Sequence, residues 1–252
     1  MEQSEEQIKK RFAELAGKSD RNSQYLFTDF LSLAEQDLLY QVMKEFPKES
    51  FSVFGGVNGA ERVMARFGSL EAFGYEQDFP IVCIAIRPLL EKFAENLSHR
   101  DYLGALMNLG IERSLLGDIM IREKTAYLFC ADRMADYITE KLDKVRHTNV
   151  RCERTDELPR EIAPKLLEEE LVVSAERADT VVAKAYHLSR SQSLTLFREK
   201  KIFENGRLFE NNSGTFQPES VISVRGFGRF RYDGILQETK KGRIRVRIAK
   251  YV

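Results

Sequence analysis

The sequence lacks any apolar run long enough to cross a membrane. Its most extended apolar runs, such as Ile81–Ile86, are far shorter than the roughly 20 residues that a spanning helix needs. Residues 1–11 carry acidic and basic side chains without an apolar segment, so the start resembles neither a signal peptide nor a transit sequence. We therefore expect a cytoplasmic protein that does not bind membranes.

Cysteine is scarce: the three cysteines, Cys83, Cys130 and Cys152, form no CxxC pair, and the first two lie inside apolar runs. An odd number of such thiols argues against disulfides and zinc sites. His147 and His187 likewise have no Cys, His or Asp partner at the spacing of metal ligands. We predict reduced cysteines, no metal site and no cofactor.

A net charge of one sign is also absent, because 39 basic residues balance 39 acidic ones. The balance is uneven along the chain: residues 174–252 hold 16 basic and 8 acidic residues, whereas residues 1–173 hold 23 and 31. A basic C-terminal region favours a polyanionic partner, although an excess of charge also occurs on plain solvated surfaces. The hydrophobic content of 43% is sufficient for a buried core in each of one to three domains.

Residues 1–75 are predicted to form a mainly helical subdomain. Two capping boxes precede amphipathic runs and predict two helices: Ser4 with Gln7, and Ser32 with Glu35. Gly17 is the expected end of the first helix, and residues 51–54 are a short strand. The glycine-rich segment 55–62 can hold a phosphate at a helix N-terminus, but it lacks the Gly-Lys-Ser/Thr ending of a P-loop. A tight turn before a helix is therefore favoured.

Residues 76–156 are predicted to form a ferredoxin-like domain, because their pattern follows the order β-α-β-β-α-β. The predicted elements are a strand at 81–86, a helix capped by Ser98 and Asp101, a hairpin at 118–130, a helix from Asp132 to Val145 and a strand at 150–154. This split βαβ fold hosts RNA-recognition modules among many others, so it implies no function by itself. Tyr127 and Phe129 share a strand face on which such modules stack bases. The RNP1 pattern is absent around them, which favours core packing.

The tripeptide His99-Arg100-Asp101 is similar to part of a kinase catalytic loop, which requires an Asn five residues after the Asp. Leu106 occupies that position, so the kinase interpretation fails. His99 and Asp101 can still form an acid/base pair, but the N-terminal cap of a helix uses the same residue types. The structural interpretation is favoured, and no catalytic residue is predicted.

The charge-rich stretch 157–173 contains two prolines and is predicted to be a connector with a short strand. Residues 174–252 are predicted to form a small α+β domain, which makes the whole chain α+β. Its predicted elements are helices at 177–186 and 191–200 and strands at 202–204, 207–209, 221–224, 229–232 and 244–248. The period of two in the last strand would place Arg243, Arg245 and Arg247 on one face, which suits phosphates.

Four segments of this last domain resemble the S4 RNA-binding domain: Arg177-Ala178-Asp179, Ser189-Arg190-Ser191, KKIFENG at 200–206 and VISVRG at 221–226. Segments spread over nearly the whole chain resemble the bacterial YlmH family: Gly55-Gly56, GAER at 59–62, HRDYLG at 99–104, LGI at 109–111, GDI at 117–119 and FGRF at 227–230. This resemblance implies an RNA-binding domain in the N-terminal region, a C-terminal S4 domain with a strand extension, and a role with the large ribosomal subunit in rescue or quality control of stalled translation. The family is also encoded beside cell-division genes, which implies an interaction role in cell division as the alternative.

The predicted RNA-contacting face lies on the helix pair and the adjoining loops of the C-terminal domain. Lys and Arg there can meet phosphates by charge-assisted hydrogen bonds, while Ser, Gln and Asn add neutral bonds. The predicted contacts are Arg177, Lys184, Ser189, Arg190, Ser191, Gln192, Arg198, Lys200, Lys201, Asn205, Arg207, Arg225 and Arg229. Asp179 is expected to be structural and to orient a nearby arginine, because a carboxylate repels phosphate.

Three positions depart from the usual S4 pattern. Ala178 stands where Leu is usual, Lys200 where Gly is usual, and Glu219-Ser220 where Gly-Asp is usual. The last two put the usual turn geometry in question, because each replaces a turn glycine.

The expected partners are structured RNA, namely large-subunit rRNA and also tRNA, and the ribosome itself. S4 domains also dock RNA-modifying enzymes, but the catalytic signatures of pseudouridine synthases, tyrosyl-tRNA synthetases and rRNA methyltransferases are missing here. We therefore expect a protein without catalysis and without a small-molecule substrate, and keep the RNA-modifying enzyme as a lesser alternative.

Overall fold

The computed structural model describes residues 4–159, 162, 164–238 and 242–251. The chain divides into two compact units, Met1–Ala163 and Pro164–Val252. Both units combine helices with antiparallel sheets, so the predicted α+β class is confirmed. Within the described residues, the helices are too short or too polar to cross a bilayer.

The first part of the N-terminal unit combines helices with a small three-stranded sheet. Its elements are α1 (Glu5–Asn22), β1 (Leu26–Phe27), α2 (Leu33–Met43), β2 (Phe51–Phe54), β3 (Met64–Phe67) and α3 (Leu70–Phe73), with a 3-10 turn at Lys48–Ser50. Both predicted capping boxes are present, at Ser4 and at Ser32. The predicted end of α1 at Gly17 is wrong: the helix continues to Asn22, because an interior glycine weakens a helix without removing a backbone hydrogen bond.

The second part of the N-terminal unit is a split βαβ domain. Its elements are β4 (Ile81–Pro88), α4 (His99–Asn108), β5 (Leu116–Arg122), β6 (Thr125–Ala131), α5 (Asp132–Lys141), β7 (Lys144–Val145) and β8 (Thr148–Arg154), with 3-10 turns at Glu91–Phe93 and Arg113–Leu115. The sheet order β5-β6-β4-β8-β7 places β4 in the centre, and all pairs are antiparallel. The predicted α5 is too long, since Val145 pairs with Thr148 in a hairpin instead of extending the helix.

The two faces of this sheet are covered differently. Ile84, Ile86 and Leu128 are buried on the face that packs against α4 and α5. Phe129 is buried on the other face with Phe30 and Met64 of the preceding part of the chain. The position that an RNA-recognition module would use for base stacking is therefore filled by core packing at Phe129.

The C-terminal unit is a helix pair packed on a six-stranded antiparallel sheet. Its elements are β9 (Leu166–Val173), α6 (Ala178–Ala185), α7 (Arg190–Arg198), β10 (Ile202–Glu204), β11 (Arg207–Leu208), β12 (Ser220–Val224), β13 (Gly228–Glu238) and β14 (Ile244–Tyr251). The sheet order is β11-β10-β12-β13-β14-β9. Eight of the 17 residues of the predicted connector form β9, which pairs with β14 along its whole length. Val182, Phe197 and Phe230 belong to a core that lies within this unit.

Candidate nucleic-acid interface

The C-terminal unit carries a cleft with a volume of about 540 Å³ beside α6, the start of α7 and the start of β14. Lys184, Arg190 and Arg243 line it, together with His187. All four side chains are exposed, and the Arg190 side chain is 72% accessible. We call this surface the cationic cleft. The helix pair supplies two cations that the sequence predicted as RNA contacts, and β14 brings Arg243 beside them.

Asp179 lies at the base of the cationic cleft and holds Arg177 in place. Its carboxylate is fully buried and accepts hydrogen bonds from Nε and Nη2 of Arg177, both at 2.9 Å. These bonds raise the pKa of Arg177. The Nε of Arg190 lies 3.9 Å from the same carboxylate. The expected structural role of Asp179 is therefore confirmed: its carboxylate orients Arg177 and lies within ion-pair distance of Arg190.

The three polar residues around Arg190 form the N-terminal cap of α7. Ser189 Oγ accepts from the backbone N of Gln192 at 3.2 Å, and Gln192 Oε1 accepts from the backbone N of Ser189 at 2.8 Å. Ser191 Oγ lies 3.0 Å from Ser189 Oγ. This capping box fixes Arg190 as the first residue of a nine-residue helix. The positive end of the helix and the guanidinium therefore occupy the same place, an arrangement that attracts anions.

A second group of predicted contacts lies at the other end of α7. Arg190 and Arg198 are separated by about 12 Å along the helix axis, at 1.5 Å per residue. Lys200 Nζ pairs with Glu210 at 3.1 Å, and Lys201 Nζ pairs with Glu199 at 2.6 Å. Acidic neighbours therefore partly neutralise these two lysines.

The remaining predicted contacts lie on the β10–β11 hairpin, on the β12–β13 turn and at the start of β13. Asn205 Oδ1 accepts from the backbone N of Val221 at 2.9 Å, which ties the hairpin turn to β12. Arg207 follows in β11 and is half-buried. Arg225 lies over the ring of Phe203 at 4.4 Å, and Arg229 lies over the ring of Tyr251 at 4.3 Å. Contact with an aromatic ring favours one position for each guanidinium group.

Two positions where glycine is usual in S4 domains keep the backbone conformation of glycine. Lys200 has φ +55° and Glu219 has φ +66°, both in the left-handed region. A Cβ atom in that region is strained. Both residues therefore hold a backbone conformation that favours glycine.

The face of β14 on which Arg243, Arg245 and Arg247 were predicted to lie is less cationic than its sequence indicates. Arg245 Nη1 lies 3.2 Å from Glu170 Oε2, and Glu170 stands directly opposite Arg247 in the β9–β14 ladder. Arg243 precedes β14 and reaches the cationic cleft instead. These carboxylates were not predicted to meet the arginines, because residues 168–170 were assigned to a connector. Antiparallel pairing of β9 with β14 places them beside the arginines.

The glycine-rich segment of the N-terminal unit is a packing junction. A Cβ at Gly56 would lie 2.2 Å from the ring of Phe129. The carboxylate of Asp118 accepts from the backbone N atoms of Glu61 and Arg62, at 2.6 and 3.2 Å. These two N–H groups donate to a carboxylate of the chain itself and not to a phosphate, which is the arrangement of a structural turn. The predicted turn is present, but the strand β3 follows it instead of the predicted helix.

The pair His99 and Asp101 belongs to the cap of α4. Asp101 Oδ2 accepts from the backbone N and the Oγ of Ser98, at 2.8 and 2.7 Å, and these bonds lower the pKa of Asp101. Burial and the nearby Arg113 lower the pKa of His99. The carboxylate of Asp101 therefore forms the helix cap that the structural interpretation predicts.

The cysteines are buried thiols. Burial raises the pKa of Cys83, Cys130 and Cys152 to about 12. In the part of the chain that the structure describes, no group of three His, Cys, Asp or Glu side chains is arranged to hold a metal ion.

Comparison with known proteins gives three findings. Residues 75–158 match a family described as "Putative RNA-binding domain in YlmH". The chain is 31% identical over 220 residues to the ribosome-associated protein quality control protein P2 of Bacillus subtilis (strain 168), covering 87% of this chain and 84% of the relative. A solved structure, the cell division protein ylmH from Streptococcus pneumoniae, is 23% identical with a TM-score of 0.48, covering 62% of this chain and 95% of that one.

Proposed function

The chain belongs to the YlmH family, and on that premise we propose that it is an RNA-binding factor that associates with the large ribosomal subunit. It acts in the cytoplasm, in rescue or quality control of stalled translation. The curated relative is named as a ribosome-associated quality control protein, which supports this role. The observation that carries the proposal is the cationic cleft, where Lys184, Arg190 and Arg243 converge.

The chemistry of the cationic cleft suits the backbone of folded RNA. A guanidinium can donate two parallel hydrogen bonds to one phosphate, and the N-terminus of α7 adds backbone donors at the same place. Structured RNA is recognised mainly through its shape, its phosphates and its 2′-hydroxyls. We propose that the C-terminal unit is an S4 domain that reads large-subunit rRNA in this way and that also contacts tRNA.

The proposal includes no catalytic step and no small-molecule substrate. The strongest acid/base candidate, Asp101, is held in the cap of α4 by Ser98 and lies 3.4 Å from Arg146. Incubation of the full chain with large-subunit RNA, followed by mass spectrometry of the RNA, should show no mass change. A new or altered nucleoside would replace this part of the proposal with an RNA-modifying activity.

Co-sedimentation of the full chain with separated ribosomal subunits tests the proposal. The wild-type protein should sediment with the large subunit and not with the small one. Arg190→Ala should weaken this binding by about 1 to 3 kcal/mol, roughly 5- to 150-fold, because a charged hydrogen bond is lost. Arg190→Lys should give an intermediate loss, since the charge remains but the two-pronged geometry does not.

The matched control is Arg11→Ala, an exposed arginine of α1 in the other unit. It should leave binding unchanged, and all three variants should melt like the wild-type protein. Equal sedimentation with both subunits would contradict the large-subunit assignment. Unchanged affinity of Arg190→Ala would remove the cationic cleft from the site.

A further inference from the structure

The N-terminal unit contains a second cleft, with a volume of about 550 Å³, bordered by α1, the chain after α2, and α3. Its walls are mostly apolar, formed by Ala16, Phe46, Pro47, Ala72 and Phe73. Exposed carboxylates stand among its lining residues: Asp20, Glu49 and Glu71. We call this surface the acidic cleft. Its volume falls within the range of about 300 to 1,000 Å³ that is usual for ligand pockets.

The charge of the acidic cleft selects cations. Its described lining residues include no Lys or Arg, although the exposed Arg21 of the same helix lies beside Gly17, with Nη1 at 3.2 Å from the place of an added Cβ. Within the described part of the chain, the carboxylates of Asp20, Glu49 and Glu71 form no ion pair with a side chain. The C-terminal end of α1 adds the negative pole of its dipole at the same place. A polyanion such as RNA is therefore repelled here.

A glycine inside α1 keeps the acidic cleft open. Gly17 lies inside α1, five residues before its last residue, Asn22. Alanine would make the helix more stable at the position of Gly17. A Cβ at this position would meet only Nη1 of Arg21, at 3.2 Å, so the fold does not require glycine there. Gly68 on another wall differs, because a Cβ there would lie 2.2 Å from the ring of Phe73. Gly17 therefore contributes space to the cleft without being needed for packing.

We propose that the acidic cleft binds a basic peptide segment of a partner protein. One bulky apolar side chain of the segment enters between Phe46 and Phe73, and flanking lysines or arginines meet Asp20, Glu49 and Glu71. The three carboxylates belong to three different parts of the chain, namely α1, the 3-10 turn after α2, and α3. A ligand that meets all three needs several cationic groups spread along a chain, as a peptide offers and a single small cation does not.

Selection from a phage-displayed random dodecapeptide library on the full chain tests this proposal. We expect enriched peptides to carry one leucine or aromatic residue flanked by at least two lysines or arginines. Synthetic copies of these peptides should bind Gly17→Leu at least tenfold more weakly than wild type, because the new side chain fills the cleft. Glu49→Lys should weaken binding several-fold, because it reverses one carboxylate.

Two controls keep the result interpretable. Gly104→Leu changes an interior glycine of α4 whose Cβ would meet nothing within 4 Å, and it should bind the peptides like wild type. Gly17→Ala fills less of the cleft and keeps α1 helical, so it should give a smaller loss even if Gly17→Leu disturbs the fold. Absence of enriched basic peptides, or equal binding to wild type and both Gly17 variants, would overturn the proposal.

Discussion

The two clefts of this protein have nearly the same volume, about 550 Å³ in the N-terminal unit and about 540 Å³ in the C-terminal unit, yet opposite charge. Carboxylates line the acidic cleft, whereas Lys184, Arg190 and Arg243 line the cationic cleft. A surface of one sign concentrates ligands of the other sign and rejects its own. A net charge of zero therefore describes neither site, and the two units are suited to different classes of partner.

The largest expected effect comes from Ile84→Asp in the central strand of the split βαβ domain. Ile84 is fully buried between β6 and β8, so the variant would bury an unpaired carboxylate. We expect a loss of about 4 to 5 kcal/mol in the stability of the N-terminal unit. Circular dichroism melting measures this loss, and filter binding should show that RNA affinity persists, because the cationic cleft belongs to the other unit.

The matched control is Ile84→Val, which should cost about 0.5 to 1.5 kcal/mol. A wild-type melting temperature for Ile84→Asp would mean that the strand is not buried. Loss of RNA affinity in a variant whose C-terminal unit remains folded would show that the N-terminal unit supplies RNA contacts too.

The second effect is expected from reversing two charges of the cationic cleft, Lys184→Glu together with Arg190→Glu. Losing two charged hydrogen bonds at about 1.5 kcal/mol or more each should weaken binding to large-subunit RNA by roughly 100-fold or more. The melting temperature should change little, because both side chains are exposed. Filter binding over a series of salt concentrations measures the affinity and its salt dependence.

The salt series sharpens this test. If the wild-type protein neutralises about four to six phosphates, the slope of log affinity against log salt concentration should be on the order of −3 to −5. The double variant should give a less steep slope. Lys10→Glu with Arg11→Glu, two exposed residues of α1, is the matched reversal in the other unit and should keep most of the affinity. A similar loss in both double variants would mean that overall charge, not the cleft, governs binding.

Asp179→Asn is expected to have a smaller effect, on both stability and RNA binding. The amide cannot replace the two hydrogen bonds from Arg177, so we expect a destabilisation of about 1 to 3 kcal/mol. RNA affinity should fall a few-fold, because Arg177 loses the group that orients it. Chemical denaturation and filter binding measure the two effects.

Asp233→Asn serves as the control, since Asp233 pairs with Arg231 on β13 outside the cationic cleft. It should lower stability without changing RNA affinity. If Asp179→Asn binds RNA as tightly as wild type, orientation by this carboxylate does not matter to the site.

The smallest effect is expected from Gly17→Ala in the acidic cleft. Alanine fits the helical backbone there, so the variant should be more stable than wild type by about 0.5 to 1 kcal/mol. RNA affinity should stay unchanged, which distinguishes the acidic cleft from the cationic one. Gly56→Ala is the opposite case: with φ +96° and Phe129 in contact, it should be destabilising in the same melting experiment.

The helices and strands were predictable to within a few residues wherever local signals specify them. The capping boxes at Ser4, Ser32 and Ser189 each depend on residues three positions apart, so the sequence shows them directly. The errors lie where distant pairing overrides a local pattern. Val145 continues an amphipathic pattern but pairs in a hairpin. The strand predicted at the end of the connector begins earlier than expected, at Leu166, because residues 166–170 pair with β14.

The α+β class, the charge asymmetry and the residue types of the helix pair can be read from the sequence, because they depend on composition and on neighbours along the chain. Which charges meet depends on the tertiary fold. The pairing of β9 with β14 brings Glu170 to Arg245. Because β9 also packs against α6, Arg243 at the start of β14 reaches the same cleft as Lys184. A phosphate responds to charges within a few ångströms, and separation along the chain does not reveal that distance.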